Sequence, residues 1–293
     1  MSENMGLMIY RDWKGLNMSN SWWKDHDSAT MYHIEHYYPW LHFLDLDTNP
    51  TIENTYANDA GIDGSRFEYN VLAKTPIILN FFFEFTDFKD FIDKKHDVQE
   101  YFAAKAGFII GTDYHPNVHA CGYVSKVDIK PTSDNISVFS VTMDNALGMW
   151  YTNSTGFLEK NWNDQVLSDL RLPTSMGDRP NWNLKPGVNK VFIAGDVMSQ
   201  LTNPIMDCRI TLNGCSGHVK LYNKTSNTTL EAKGDEVNGT ITWNNLDLRN
   251  SDGKPINQCS NSLDLWLDPG WNEIQLSGCS GGYIDTRFYF ANL

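Results

Sequence analysis

The segment of this 293-residue chain with the most specific chemical pattern is Gly278-Cys-Ser-Gly-Gly282, which satisfies G-x-S-x-G. In that pattern a serine at a sharp strand-to-helix turn acts as a nucleophile, and an acid and a histidine follow it along the chain. Here eleven residues follow the pattern, and the last histidine, His218, precedes it. The related segment Gly214-Cys-Ser-Gly217 also follows a strand-like run. Both segments are therefore interpreted as turns, and we expect no catalytic residue and no enzyme activity.

Two other groups of side chains have the chemistry of metal ligands. Asp59-x-Gly-x-Asp-Gly64 resembles part of a calcium loop, but its third position is glycine, and Asn70 stands where such a loop has a bidentate glutamate. His33, His36 and His42 are close in sequence, yet no cysteine or paired carboxylate completes a known ligand spacing. Both groups are interpreted as structural, and we expect neither a metal nor another cofactor.

A repeated phrase, L-x-P-G-x-N-x-(V/I)-x-(I/L)-x-G, occurs at residues 184–195 and again at residues 267–278. Proline presets the backbone at one corner of a turn and glycine accepts a positive φ at the next, while alternating apolar residues indicate a strand with one buried face. We therefore expect structural turns at Pro186, Gly187, Pro269 and Gly270. Residues 180–293 are predicted to form an antiparallel β-sandwich.

The first part of the chain also has the periodicity of strands, with one change of period. Residues 76–85 have the β-branched and aromatic content of a strand, whereas residues 86–105 carry apolar side chains at helical spacing. Thr86 or Asp87 can cap this helix, and Gly107 can end it. Strands are expected near residues 7–10, 40–46, 107–111, 120–129 and 136–143, with structural turns at Gly61 and Gly64.

These patterns predict a mainly β protein with two β-sandwich domains. Residues 1–150 form the first, which carries one α-helix, residues 151–179 form a polar linker, and residues 180–293 form the second. At a net charge of −13 and a pI of about 4.9, the chain has no basic surface that favours nucleic acid or an anionic membrane. The amino end does not resemble a secretion signal, so we expect a cytosolic fold with five free cysteines.

Aromatic residues are concentrated before residue 44 and in the strand at residues 76–85. Tyrosine and tryptophan often dominate the binding energy of protein interfaces, whereas the same rings can fill a core or stack on sugars. We favour core or protein interface over sugar binding. The candidate interface residues are Trp22, Trp23, Tyr37, Tyr38, Trp40, Phe81 and Phe83.

The order of these features resembles the distal tail proteins of long-tailed phages, the baseplate hub family known as Dit. The resemblance rests on Gly61-Ile-Asp-Gly64 ahead of the strand at residues 77–85, and on the helix that follows it. It continues with the Asn-Pro that begins a strand in residues 201–210 and with Leu267-Asp-Pro-Gly-Trp-Asn272 before the final strand. It covers most of residues 50–293.

The resemblance implies a non-enzymatic structural protein that forms a ring of six copies at the tip of a virion tail. In the family, the first domain forms the ring, and a galectin-like (jelly-roll) second domain projects outward to hold adsorption components. The ring joins the major tail (tube) protein to the tail-associated and receptor-binding proteins, and we expect synthesis and assembly in the host cytoplasm. The alternative is a soluble carbohydrate-binding, lectin-like protein, since lectins share this architecture.

Overall fold

The structure is a computed structural model that describes residues 6–12, 31–58, 60, 63–103, 107–161, 163, 166, 170–173, 180–203, 205–261 and 265–292. The chain divides into two compact units, the first comprising Met1–Trp150 with Ala291–Leu293 and the second Tyr151–Phe290. Antiparallel strands make up most of the described residues of both units, which confirms the mainly β fold class.

The described residues of the first unit form one large antiparallel sheet, one hairpin and two helices. Its elements are β1 (Leu7–Asp12), β2 (Tyr32–His33), α1 (Ile34–Tyr37), β3 (His42–Thr48), β4 (Ile52–Ala57), β5 (Arg66–Leu72), β6 (Thr75–Glu84), α2 (Phe88–Phe102), β7 (Gly107–Thr112), β8 (His115–Asp128) and β9 (Ile136–Asn145). The sheet has the strand order β2-β1-β7-β8-β9-β6-β3, while β4 and β5 pair only with each other among the described residues.

Strand β6 provides the centre of the first core because its apolar residues alternate. Ile77, Leu79, Phe81 and Phe83 are fully buried, since alternate residues of a strand point to the same face. The strand pairs with β3 on one side and β9 on the other. The prediction that Phe81 and Phe83 contribute to an interface is therefore wrong, because both rings are covered within the unit itself.

Helix α2 confirms the helical spacing predicted after residue 86. The side chain of Asp87 caps it by accepting a hydrogen bond from the backbone N–H of Asp90 at 2.9 Å. The helix ends at Phe102, before the predicted end at residue 105, and Gly107 begins β7 instead of ending the helix. The ring centroid of Phe102 lies 5.7 Å from that of Phe81, so α2 covers the buried face of β6.

The second unit consists mainly of paired strands. Its elements are β10 (Trp150–Thr152), α3 (Thr155–Lys160), β11 (Asn183–Leu184), β12 (Gly187–Ile193), β13 (Ser199–Gln200), β14 (Cys208–Asn223), β15 (Thr228–Asn244), β16 (Asp247–Asn250), a 3-10 turn (Asn257–Cys259), β17 (Trp266–Leu267), β18 (Gly270–Ser277), β19 (Gly281–Thr286) and β20 (Tyr289–Phe290). The main sheet has the order β11-β19-β14-β15-β16, and β18 pairs with both β14 and β12.

Strand β14 pairs with two different neighbours because glycines interrupt it. Residues 208–213 pair with β19, whereas residues 220–223 pair with β18. Between them, Gly214 and Gly217 have φ values of 62° and 77°, and the pairing with β15 shifts register. Such irregularities bend a strand. The segment 214–217, predicted as a turn, is therefore a bend inside one long strand.

The two copies of the repeated phrase form turns with the same hydrogen bonds. Gly187 and Gly270 have φ values of 98° and 90°, which glycine adopts without a steric penalty. The side-chain oxygens of Asn189 and Asn272 accept hydrogen bonds from the backbone N–H four residues earlier, at 2.8 and 2.9 Å. Strands β12 and β18 follow the turns and pair with each other, so the two repeats lie side by side in one sheet.

The segment predicted as a linker begins with ordered structure of the second unit. Tyr151 and Thr152 are buried in β10, and the fully buried Thr155 donates a hydrogen bond from Oγ1 to the carbonyl of Ile284 at 3.1 Å. Residues 151–160 are therefore packed strand and helix, because their side chains find partners in the second unit. At the other end of the chain, Asn292 donates from Nδ2 to the carbonyl of Thr48 in the first unit, at 3.2 Å.

The five cysteines all lie in the described part of the chain and are free thiols. Cys121, Cys208 and Cys215 are buried, whereas Cys259 and Cys279 are partly exposed. No helix among the described residues has the length and apolar character that crossing a lipid bilayer requires.

Candidate assembly surface

The predicted interface residues lie in different environments. Trp22 and Trp23 fall outside the residues that the structure describes. The two phenylalanines on β6 are core residues. The last residue of α1 is Tyr37, and Tyr38 and Trp40 follow the helix directly. All three side chains are partly accessible to solvent, and Tyr37 is 43% exposed. This segment is therefore the part of the predicted interface that a partner can reach.

A groove of about 420 Å³ lies beside α1, and we call it the aromatic groove; its lining is Tyr10, Arg11, Tyr32, Tyr37, Tyr38, Glu100 and Tyr101. Tyr101 comes from α2 and is only 7% exposed. Its ring centroid lies 5.6 Å from those of both Tyr37 and Tyr38. Tyr32 and Tyr37 are each 43% exposed, so rings at the rim surround a buried ring. Tyrosine clusters of this kind suit a protein partner, because each ring offers a large contact area and a polar hydroxyl.

The aromatic groove contains charges of both signs. The guanidinium carbon of Arg11 lies 5.4 Å from the centroid of the Tyr101 ring, which is a cation–π geometry. Burial lowers the pKa of Arg11, but an arginine side chain stays protonated in proteins. Burial raises the pKa of Tyr101, so the phenol stays neutral at neutral pH. Glu100 adds a carboxylate to the lining. The groove therefore matches a partner with both apolar and charged groups.

Contacts with α2 hold the aromatic segment in place. The hydroxyl of Tyr38 donates to the carbonyl of Asp97 at 3.4 Å, and burial raises the pKa of this tyrosine. The ammonium of Lys94 lies 5.7 Å from the centroid of the Trp40 ring. Because α2 itself packs on β6, the groove is built on a rigid support.

The hairpin β4–β5 presents a second apolar surface, which sequence analysis missed. Phe67, Tyr69 and Val71 lie along β5 and are 52%, 55% and 48% exposed, in a strand whose residues 66–71 are all exposed. The ring of Tyr56 packs edge-on against Phe67, with centroids 6.0 Å apart. We call these four residues the hairpin face. The alternation of Phe67, Tyr69 and Val71 is the signal from which the strand could have been predicted.

The base of the hairpin is firmly attached to the first unit. The backbone N–H of Ala73 donates to the carbonyl of Thr51 at 2.8 Å, and the N–H of Thr51 donates to Thr75 Oγ1 at 3.3 Å. Gly148 has a φ of 68°, and a Cβ there would lie 2.2 Å from the carbonyl oxygen of Ala73, so only glycine fits. An isolated two-stranded hairpin is marginally stable in water. A partner covering the hairpin face would therefore stabilise it.

The distal end of the hairpin contains the segment that resembles a calcium loop. Gly64 has a φ of 95°, and Ser65 donates from Oγ to Asn58 Oδ1 at 2.5 Å. Asp59, Gly61 and Ile62 lie outside the described residues.

The three neighbouring histidines have separate contacts. His33 Nε2 lies 3.4 Å from a carboxylate oxygen of Asp113, His36 stacks on Tyr32, and His42 stacks on a ring of β6. Within the described ranges, no group of three or more His, Cys, Asp or Glu side chains could hold a metal ion.

Ser280, the serine of the G-x-S-x-G pattern, joins two strands of the second unit. Its Oγ donates to the carbonyl of Asn213 at 2.8 Å, and its backbone N–H donates to the same oxygen at 2.9 Å. His218 Nε2 instead lies 2.6 Å from Glu231 Oε1. The serine hydroxyl is thus occupied by a structural hydrogen bond to the bend of β14.

Comparison with protein-family models finds no match, and comparison with curated proteins finds none either. Among solved structures, the chain is similar to the Dit protein of phage SPP1, described as a paradigm of the hub adsorption apparatus in phages that infect Gram-positive bacteria; the TM-score is 0.61 at 9% identity, over 97% of this chain and 99% of that one. A chain of the phage p2 baseplate in its activated conformation with strontium matches at 11% identity over 97% of each chain. Its TM-score of 0.38 is too low to establish a shared fold. The chain therefore has a Dit-like fold along nearly its whole length.

Proposed function

We propose that the protein is a non-enzymatic structural hub of a phage tail tip and that it assembles into a closed ring. The observation that carries the proposal is the likeness to the SPP1 Dit protein, which extends over 97% of this chain. By the family resemblance, the ring has six copies and lies at the virion tail tip. There it joins the major tail (tube) protein to the tail-associated and receptor-binding proteins.

Two surfaces of the first unit support head-to-tail assembly. A closed cyclic ring uses contacts between two different surfaces of each subunit. The aromatic groove is concave and rimmed by tyrosines, whereas the hairpin face is exposed along a separate two-stranded sheet. Its four side chains, Tyr56, Phe67, Tyr69 and Val71, are exposed apolar groups on one hairpin, and exposed apolar surface of this kind marks protein interfaces. We assign the ring contacts to these two surfaces.

The charge of the chain opposes the assembly. Each copy carries a net charge of −13, so copies repel one another at low ionic strength. Screening becomes effective over about 10 Å in 0.1 M salt. We therefore expect the fraction of ring to rise between low and moderate salt.

Native mass spectrometry and light scattering of the full chain test the proposal. The expected species has six times the mass of one chain. The double substitution Phe67→Lys with Tyr69→Lys should give monomers, because ring formation would bury two charges without partners. Leu246→Lys is the matched control: Leu246 is 50% exposed but lies in the second unit, so the ring should persist.

These measurements test ring formation separately from the assignment of the hairpin face as a ring contact. A wild-type chain that stays monomeric over a wide range of concentration and salt would contradict the ring. A ring that survives both lysine substitutions would exclude the hairpin face as the contact. Circular dichroism of each variant shows whether a monomer is folded.

A further inference from the structure

The second unit has an exposed sheet face that the proposed ring contacts do not use. Strands β12, β18, β14 and β15 pair in that order, and alternate residues point into the unit. Val191, Ile274 and Leu221 are examples of the buried set. The residues between them face solvent and form what we call the outer face. It is an open surface, with strands about 4.8 Å apart.

An aromatic pair lies at one end of the outer face. Phe192 and Trp271 are register partners on β12 and β18, and their rings meet edge-on with centroids 5.1 Å apart. Trp271 is 39% exposed, so part of the indole is available to a ligand. The hydrogen-bonded backbone of β18 and the contact with Phe192 hold the ring in position.

The charged side chains of the outer face are net positive, although the chain as a whole is acidic. Four lysines and two glutamates lie on it or at its margin: Lys190, Lys220, Lys224, Lys233, Glu231 and Glu273. Lys224 pairs with Glu273 and Lys233 with Glu231, each with a nitrogen–oxygen distance of 2.5 Å. Lys190 and Lys220 form no ion pair with any residue in the described parts of the chain. Two positive charges are therefore available to an external anion.

The spacing of these groups suits an extended ligand. Lys190 is two residues from Phe192 on β12, or about 7 Å along the strand. From Trp271 to Ser277 the outer face extends about 20 Å, and Lys220 is the register partner of Ser277. Gln275 and Ser277 are exposed between these points and can exchange hydrogen bonds with hydroxyl groups.

We propose that the outer face binds an anionic saccharide chain. The exposed indole of Trp271 would stack on the C–H face of one sugar ring, and the ammonium groups of Lys190 and Lys220 would contact its carboxylates or phosphates. Charge complementarity supports an anionic ligand on a chain that elsewhere repels anions. The centre of the face is polar, whereas the buried centre of a protein interface is usually apolar, so a hydrated saccharide fits better than a protein.

Biolayer interferometry with the full chain tests this inference. The probes are polygalacturonate and phosphorylated dextran as anionic saccharides, dextran as the neutral saccharide, and polyglutamate as an anionic chain without sugar rings. We expect one or both anionic saccharides to bind at low salt and the other two probes to bind at least about tenfold more weakly. Trp271→Ala, and separately Lys190→Gln with Lys220→Gln, should each weaken binding about tenfold.

Matched controls come from the first unit. Phe88→Ala removes an exposed aromatic ring, and Lys126→Gln with Lys130→Gln removes two exposed positive charges, so both should leave binding unchanged. Binding of polyglutamate equal to that of the anionic saccharides, with no effect of Trp271→Ala, would overturn the inference in favour of an acidic protein segment. Absence of binding to both anionic saccharides at low salt would also overturn it. Thermal melts confirm that each variant is folded.

Discussion

Replacing Asn272 with alanine should destabilise the second unit far more than the same change at its counterpart, Asn189. Asn272 is fully buried. Its Oδ1 accepts hydrogen bonds from Asp268 N and Asn223 Nδ2, both at 2.9 Å, and its Nδ2 donates to the carbonyls of Asp268 and Gly270 at 2.7 and 3.2 Å. Asn189 makes the equivalent bonds to its own turn, but it is only half-buried and its partners are near solvent.

The expected difference in unfolding free energy depends on which polar groups each alanine substitution leaves without a hydrogen-bond partner. Asn272→Ala deprives the buried amide of Asn223 of an acceptor and leaves the turn without its side-chain bonds, whereas water can replace the bonds of Asn189. Each buried polar group left without a partner costs about 1–3 kcal/mol. We therefore expect a loss of about 3 kcal/mol for Asn272→Ala and about 1 kcal/mol for Asn189→Ala.

Differential scanning calorimetry of the full chain measures both effects on the transition of the second unit. At ~2–4 °C per kcal/mol, the expected decreases in Tm are about 6–12 °C and about 2–4 °C. Equal decreases in Tm for the two variants would refute the reasoning, because they would show that burial of the asparagine amide does not determine the loss of stability.

Three further predictions concern single side chains. Phe81→Ala should cost about 3–5 kcal/mol of unfolding free energy in urea titrations, against less than about 0.5 kcal/mol for the exposed Tyr56→Ala, and similar values for the two would argue against the assigned core. Burial raises the pKa of the Cys215 thiol to about 11, so iodoacetamide at pH 8 should alkylate it more slowly than the partly exposed Cys259, and the reverse order by mass spectrometry would contradict this. A hydrogen bond from the backbone N–H of Thr86 is the largest cause that lowers the pKa of Asp90 below its ordinary value of 3.8, and a hydrogen bond from Lys94 is the second. The ionised Asp90 therefore stabilises the folded state above pH 3.8, and this contribution is lost as the pH falls through the lower pKa of the folded state. Asp90→Asn should therefore flatten the acid limb of a plot of Tm against pH, and an unchanged limb would show that this carboxylate contributes nothing to it.

The sequence by itself determined the elements that depend only on residues within one short segment. The alternation in β6 and the helical spacing of α2 follow from the geometry of a single segment, and Asp87 caps the helix through a residue three positions away. The Pro-Gly phrase likewise contains everything its turn needs, since the closing asparagine lies two residues after the glycine. The −13 net charge is a property of composition alone.

Only the tertiary structure decided which surfaces are covered. Alternation identifies one face of β6 as apolar, but whether Phe81 meets a partner or the same chain depends on where α2 packs. Tyr101 reaches Tyr37 and Tyr38 from a distant part of the sequence, and no local pattern brings them together. The same holds for the pairing of β12 with β18, which creates the outer face. The physical reason is that burial and pairing depend on contacts between segments far apart in the chain, which the spacing within one segment does not specify.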